Sequence, residues 1–127
     1  MNEPATDGAP LRAFRDPAYV PLARDLAEVR ANIDRLDDAI VALIAERAMY
    51  VKDAARFKRD PQQVAAPARQ AEVFARARDL AARHDRGFEG LADVVEATYR
   101  TMVAAFISGE ERYFHNMQSI GDPSCEP

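Results

Sequence analysis

The sequence contains 127 residues, a length that suits one domain or one small domain with tails. Its 17 Lys and Arg residues and 21 Asp and Glu residues give a net charge of −4, which argues against nucleic acid as a partner, because phosphate-binding proteins are normally basic. A small organic anion remains compatible with this charge, since a local surplus can oppose the overall sign. Cys125 is the single cysteine, so an internal disulfide and a cysteine-built zinc site are excluded.

The composition favours helices and offers no membrane segment. Hydrophobic residues make up 48% of the chain, but aromatic residues only 8%, so alanine and aliphatic side chains must form the core. No apolar run approaches the ~20 residues that span a bilayer. The first ten residues contain acids and prolines instead of the basic and apolar stretches of a signal peptide. We therefore expect a cytoplasmic protein with no membrane partner.

Proline spacing divides the chain into three parts. Residues 1–24 contain four of the eight prolines and show no sustained periodicity, which is typical of a flexible arm. Residues 119–127 have the same character and are expected to be a disordered tail. The folded domain should therefore occupy residues 25–118.

The middle part predicts an all-α fold of three helices of unequal length. The first should span residues 22–58, because no Pro or Gly interrupts it and its apolar residues alternate in steps of three and four, as in a coiled coil. At ~1.5 Å per residue it would be about 55 Å long, so a second chain should cover much of its apolar stripe. Pro61 and Pro67 predict a loop over residues 59–68. Two further helices are expected, from Pro67 or Ala68 to His84 and from Leu91 to Met117, with Gly109 marking a close helix approach.

Charged residues interrupt the apolar stripe of the first helix at Arg30, Asp37, Arg47 and Lys58. Buried charge is costly unless it is paired, and one acid cannot balance three cations, so an anionic ligand would account for the surplus. Arg47 and Lys58 would fall within about 20° of the same helix face and ~16 Å apart, close enough for both side chains to reach one small molecule. Arg30 would lie ~25 Å from Arg47 and could serve the same ligand only from a second, antiparallel chain.

Two more charged residues lie on the later helices. Arg69 stands at the start of the second helix, where backbone N–H groups favour an anion. Glu110 lies within the apolar stripe of the third helix, where an acid needs a nearby cation or a proton. Each residue alone could equally be part of a structural ion pair or a solvated side chain, but together they favour a ligand site. No His, Asp and Glu cluster has metal-ligand spacing, so no metal or cofactor is expected.

The segment from Leu26 to Lys58, LAEVRANIDRLDDAIVALIAERAMYVKDAARFK, resembles the first helix of the all-helical chorismate mutase family, which also contains the isochorismate pyruvate-lyases. The resemblance covers about 90 residues, to about Met117, and its specific feature is R-x-x-I-D-x-x-D followed by Arg47 and Lys58. It implies an intertwined helical homodimer with two equivalent sites. Each site would bind a small dianion, either chorismate or isochorismate, without a cofactor or metal.

The resemblance also implies roles for individual residues. Arg30 would enter from the partner chain to hold one carboxylate, and Arg47 would hold a carboxylate within its own chain. Lys58 would contact the ether oxygen of the breaking bond, and Glu110 stands where many members have a glutamine that faces the same oxygen. Arg69 matches an arginine at the start of the second helix of the family.

Departures from the family pattern leave its two enzymatic branches open. Ala66 and Gln70 replace two acids that bind the substrate hydroxyl in typical mutases, so Gln70 is the remaining candidate for that contact. Ala66 and the spacing from Lys58 to Arg69 favour the lyases, whereas Glu110 favours mutases that use a glutamic acid.

Three functional hypotheses follow. The preferred one is an isomerase, chorismate mutase, which converts chorismate to prephenate in aromatic amino-acid biosynthesis by a pericyclic rearrangement. The second is an isochorismate pyruvate-lyase that produces salicylate and pyruvate. The third is a non-catalytic helical dimer that acts as a binding module.

Overall fold

A computed structural model describes residues 8–118 and 120. Within these residues it contains no strand, which confirms the all-α class, and its helices are α1 (Leu26–Ala54), a 3-10 turn (Ala55–Phe57), α2 (Pro61–Ala65), α3 (Pro67–His84) and α4 (Leu91–Asn116). The chain divides into two compact units, an N-terminal unit that ends at Glu46 and a C-terminal unit that begins at Arg47. The expected disordered tail, 119–127, lies outside the described residues apart from Ile120, as do the first seven residues of the expected arm.

Helix α1 is shorter at both ends than the predicted helix over residues 22–58. It begins at Leu26 because Asp25 caps it: the Asp25 Oδ1 accepts the Glu28 N–H at 2.8 Å, and the Glu28 carboxylate accepts the Arg24 N–H at 3.1 Å. It ends at Ala54, and the 3-10 turn leads to Lys58 in an extended conformation, with φ −97° and ψ 144°. Lys58 therefore lies beyond the helix, and the helical-spacing argument that joined it to Arg47 is wrong.

The N-terminal unit leaves an apolar stripe of α1 uncovered. The helix buries none of its residues. Six apolar side chains along its N-terminal part are exposed: Leu26, Val29, Ile33, Leu36, Ile40 and Leu43. These are positions of the predicted coiled-coil seam, and a contiguous apolar surface of this kind is typical of a protein interface.

Residues 61–65 form a short helix where the sequence predicted a loop. Asp60 caps α2 by accepting the Gln63 N–H at 2.9 Å, and Pro61 takes the first helical position, where its missing N–H costs nothing. The helix ends at Ala66, which has φ 44° and ψ 61° in the left-handed region, and Pro67 then begins α3. Both prolines therefore start helices. Pro67 confirms the predicted start of the second helix, whereas the loop predicted around Pro61 was wrong because that proline was treated as a helix breaker.

The C-terminal unit packs α3 against α4, and α2 and the 3-10 turn also contact α4. Its buried hydrophobic side chains are small: Ala55, Val64, Ala77, Ala81 and Val103. The predicted bounds of α3 and α4 are confirmed to within one residue. A Cβ at Gly109 would meet only the end of the Arg112 side chain, at 3.5 Å, so the expected close helix approach is not found among the described residues. Among all the residues that the structure describes, no helix has both the length and the hydrophobicity needed to cross a membrane.

A network of charged side chains joins α3 to α4. Arg78 Nη1 donates to Asp93 Oδ1 at 3.0 Å and to Glu96 Oε1 at 2.8 Å, and Arg100 Nε donates to Glu96 Oε2 at 2.7 Å. The hydrogen bond from Arg100, followed by that from Arg78, holds the pKa of Glu96 below its ordinary value of 4.5. Ionised Glu96 therefore stabilises the packing of the two helices.

We expect the variant Glu96→Gln to lose less stability in acid than the native protein. The stabilising effect of the lowered Glu96 pKa is present above pH 4.5 and is lost as the pH falls through the folded value. Urea unfolding at about pH 6 and about pH 3 measures the difference in unfolding free energy between the two conditions. The control is Glu89→Gln, which removes an exposed carboxylate with no ion pair among the described residues. If all three proteins lost the same unfolding free energy between the two pH values, the stabilising role of ionised Glu96 would be contradicted.

Candidate active site

A cavity of about 360 Å³ opens in the C-terminal unit, within the size range of small-molecule sites. Its lining includes Tyr50 and five charged or amide side chains: Arg47, Lys58, Arg69, Gln70 and Glu110. Its apolar wall includes Val51, Val64, Val73, Val103, Phe106 and Ile107. The structure therefore brings together five of the six site residues expected from the sequence. The sixth, Arg30, belongs to the N-terminal unit, where it is exposed.

Lys58 and Glu110 form an ion pair at one end of the lining. The Lys58 Nζ lies 3.1 Å from the Glu110 Oε2, and it also donates to the Gln63 carbonyl oxygen at 3.1 Å. The Glu110 side chain is only 7% exposed, which makes a nearby cation necessary for a carboxylate. No hydrogen-bond donor is aligned on the Glu110 Oε2 within the described residues, so this oxygen is paired by charge alone. Lys58 is thus the cation that the position of Glu110 requires.

Arg47 lies close to two aromatic rings. Its Cζ lies 5.9 Å from the centroid of the Tyr99 ring and 5.5 Å from that of Phe106, within cation–π range of both. Among the described residues Arg47 has no ion pair and no hydrogen bond through its guanidinium, so the alternative of a structural ion pair is not found. Its half-buried guanidinium lines the cavity with its N–H donors available to a ligand.

The start of α3 contributes the other two polar residues. The Gln70 Nε2 donates to the Ala65 carbonyl oxygen at 2.6 Å, so the amide oxygen is the part of the side chain left to accept a ligand hydrogen. Arg69 is exposed, and its contact with Glu72, at 3.5 Å, is a surface ion pair that contributes little. Ala66 adds a methyl group to the lining.

The charge of the cavity is opposite in sign to that of the whole chain. Three cations and one acid line it, which leaves two unbalanced positive charges, whereas the net charge of the chain is −4. No group of three or more His, Cys, Asp or Glu residues that could hold a metal occurs in the described part of the chain. A local surplus of positive charge beside an apolar wall favours an organic anion as the ligand.

Tyr99 and Phe106, two aromatic residues of α4, were not among the site residues expected from the sequence. Both have the helical spacing of core side chains. Their spacing held the missing signal, because Tyr99, Val103, Phe106 and Glu110 follow one another at intervals of four, three and four, on one face of α4. The face that carries the expected acid therefore also carries the rings that contact Arg47.

Comparison with known proteins gives a family match. The family model for chorismate mutase type II matches residues 29–111, a range that contains the five charged and amide residues of the cavity as well as Arg30. No curated protein sequence matches the chain significantly. Because the family model covers more than half of the chain, this protein belongs to the chorismate mutase type II family.

Proposed function

We propose that the protein is a chorismate mutase that rearranges chorismate to prephenate. The observation that carries this proposal is the convergence of Arg47, Lys58 and Glu110 on one cavity with two unbalanced positive charges. Chorismate carries one carboxylate on its unsaturated ring and a second on its enolpyruvyl ether, so its two negative charges balance the cavity and its ring fits an apolar wall. The experiment that tests the proposal is incubation of the purified protein with chorismate, with prephenate as the expected product.

Each polar residue has a distinct task in this mechanism. The reaction is unimolecular, so the protein must hold the substrate in its compact conformation and stabilise the negative charge that grows on the ether oxygen. Arg47 binds a carboxylate through its free N–H donors. Lys58 donates to the ether oxygen, as does Glu110 when it is protonated. The Gln70 amide oxygen accepts a hydrogen bond from the substrate hydroxyl, in place of the acid that typical mutases use.

The proposed active form is a homodimer built from the helical domain over residues 25–118. The exposed apolar stripe of α1 supports it, because a second copy of the same stripe would cover it. The partner subunit's Arg30 would then complete each site by binding the second carboxylate. With Arg30 added, the site has four cations and one acid, a surplus of three positive charges, and binding of the dianion neutralises most of this surplus.

Mixed dimers of Arg30→Ala and Lys58→Ala subunits should regain activity that both parent variants lack. If each site takes Arg30 from the partner, a mixed dimer has one intact site and one doubly defective site. A random equal mixture should therefore recover about a quarter of the native activity. Subunits are mixed, unfolded, refolded together and assayed with chorismate. Activity no higher than the mean of the two parent variants would contradict the shared site.

Isochorismate pyruvate-lyase activity is the second candidate function. Among the residues that the structure describes, Glu110 is the only acid that lines the cavity, and it is already paired with Lys58, so this part of the chain offers no free acid to bind the hydroxyl group of chorismate. Parallel incubation with isochorismate distinguishes the candidates: salicylate and pyruvate would identify a lyase, and prephenate from chorismate a mutase. An absence of turnover with both substrates would favour a non-catalytic binding module.

A further inference from the structure

We propose that Tyr99 and Phe106 are positioning residues that orient the Arg47 guanidinium for binding a substrate carboxylate without neutralising its positive charge. The proposal rests on the proposed function of the cavity, which makes Arg47 a substrate-binding residue. In this proposal two rings of α4 orient the guanidinium group, a role that a carboxylate side chain has for most buried arginines.

The geometry of α4 brings both rings close to Arg47. Tyr99 and Phe106 are seven residues apart, which separates them by ~10.5 Å along the helix on nearly the same face. The Arg47 Cζ lies at similar distances from both ring centroids, 5.9 Å and 5.5 Å. Val103, between them in sequence on this face, is buried. The guanidinium therefore has two aromatic neighbours from one helix, so a shift of its position changes its contact with both rings.

The chemistry of this arrangement differs from that of an ion pair. A carboxylate would orient Arg47 but would occupy two N–H donors and cancel its charge. The negative face of an aromatic ring attracts the cation without accepting its in-plane hydrogen bonds. Arg47 thus combines a fixed position with free donors and a full charge. Lys58 in the same cavity shows the contrast, because its ammonium is shared with Glu110 and with the Gln63 carbonyl.

The electrostatic role of the Phe106 ring can be tested without removing the ring. Phenylalanine analogues with one, two or three fluorine atoms, incorporated at position 106, keep the shape of the side chain and weaken the negative potential of its face. We expect KM for chorismate to rise with each fluorine, to about 2- to 5-fold in total, while kcat changes little, because the contact acts on ground state and transition state alike. A ring that only fills space would give no trend with fluorine number.

The chain contains a matched control for this series. Phe74 lies against Arg100, with the Arg100 Cζ 4.4 Å from the ring centroid, and neither residue lines the cavity. Fluorination at position 74 should therefore leave KM unchanged while it perturbs a cation–π contact of the same kind. At the other ring, Tyr99→Leu should raise KM, and Tyr99→Phe should restore most of the loss because the ring returns.

Calorimetric titration of each variant with chorismate keeps this inference separate from the proposed function. A dissociation constant that rises with the number of fluorine atoms at position 106, and that shows no such trend in an Arg47→Ala background, supports the positioning role. A dissociation constant independent of fluorine number in the native background overturns it, whether or not the protein turns chorismate over. Absence of turnover by the native protein contradicts the proposed function alone.

Discussion

Replacing Lys58 with alanine should lower kcat/KM for chorismate by about 100- to 1000-fold, which corresponds to ~2.7–4 kcal/mol of transition-state stabilisation. In the proposed mechanism this ammonium donates to the ether oxygen as negative charge grows there, and removal of one donor of this type costs that amount in other enzymes. Most of the loss should appear in kcat, because the negative charge on the ether oxygen develops only in the transition state and is absent from that oxygen in the bound substrate. Steady-state kinetics with prephenate detection measures both constants.

Two further variants separate the chemical role of Lys58 from its structural role. Lys58→Ala leaves the buried Glu110 without its cation, which destabilises the fold, and the double variant Lys58→Ala with Glu110→Gln removes that charge as well. The double variant should regain unfolding free energy but not activity. Arg59→Ala, which removes the adjacent exposed cation outside the cavity lining, should retain activity. A return of kcat in the double variant would show that Lys58 acts on activity only through stability.

Replacing Arg47 with alanine should also cost at least about 100-fold in kcat/KM, with a large increase in KM. The variant loses the fork of donors that the proposal assigns to a substrate carboxylate, and the cavity loses one of its two unbalanced positive charges. Arg47→Lys should recover little, because an ammonium cannot form the same bidentate contact. Kinetics and calorimetric titration with chorismate measure these losses.

The stability of the Arg47 variants provides the control. Because Arg47 has no ion pair among the described residues, Arg47→Ala should change the unfolding free energy by only about 1 kcal/mol, the size of an exposed cation–π contact. Arg76→Ala removes an exposed arginine of α3 and should leave the kinetics unchanged. A loss of activity in Arg76→Ala as large as that in Arg47→Ala would mean that overall charge, rather than this side chain, governs binding.

The parts of the fold that the sequence predicted are those with local signals. Helices α3 and α4 were predicted to within one residue because Pro67 marks one start and Gly90 precedes the other. The helix α2 was missed because Asp60 followed by Pro61 has two possible meanings. The pair can cap a helix and supply its first residue, or it can end a helix and form a loop. The end of α1 was misplaced because residues 55–57 form a 3-10 turn without any Pro or Gly to announce it.

The candidate site was predictable as a set of residues but not as a set of contacts. Charges within apolar stripes identified Arg47, Lys58 and Glu110 from the sequence alone. The pairing of Lys58 with Glu110 depends on the turn that carries Lys58 away from α1 and towards α4, 52 positions later in the chain. Contacts between residues so far apart follow from tertiary packing, which periodicity does not encode. The role expected for Arg30 stays a prediction, because it requires a second chain.

The uncovered stripe of α1 has a thermodynamic consequence. A helix of 29 residues that buries none of them gains little free energy from its own chain, and helical propensity alone is a weak source of stability. In the proposed homodimer, association would supply the stability that the monomer lacks, and mass action would make the melting temperature rise with protein concentration. Dilution would then weaken folding and catalysis together, because the surface that stabilises the helix is also the one that would bring the partner subunit's Arg30 to the site.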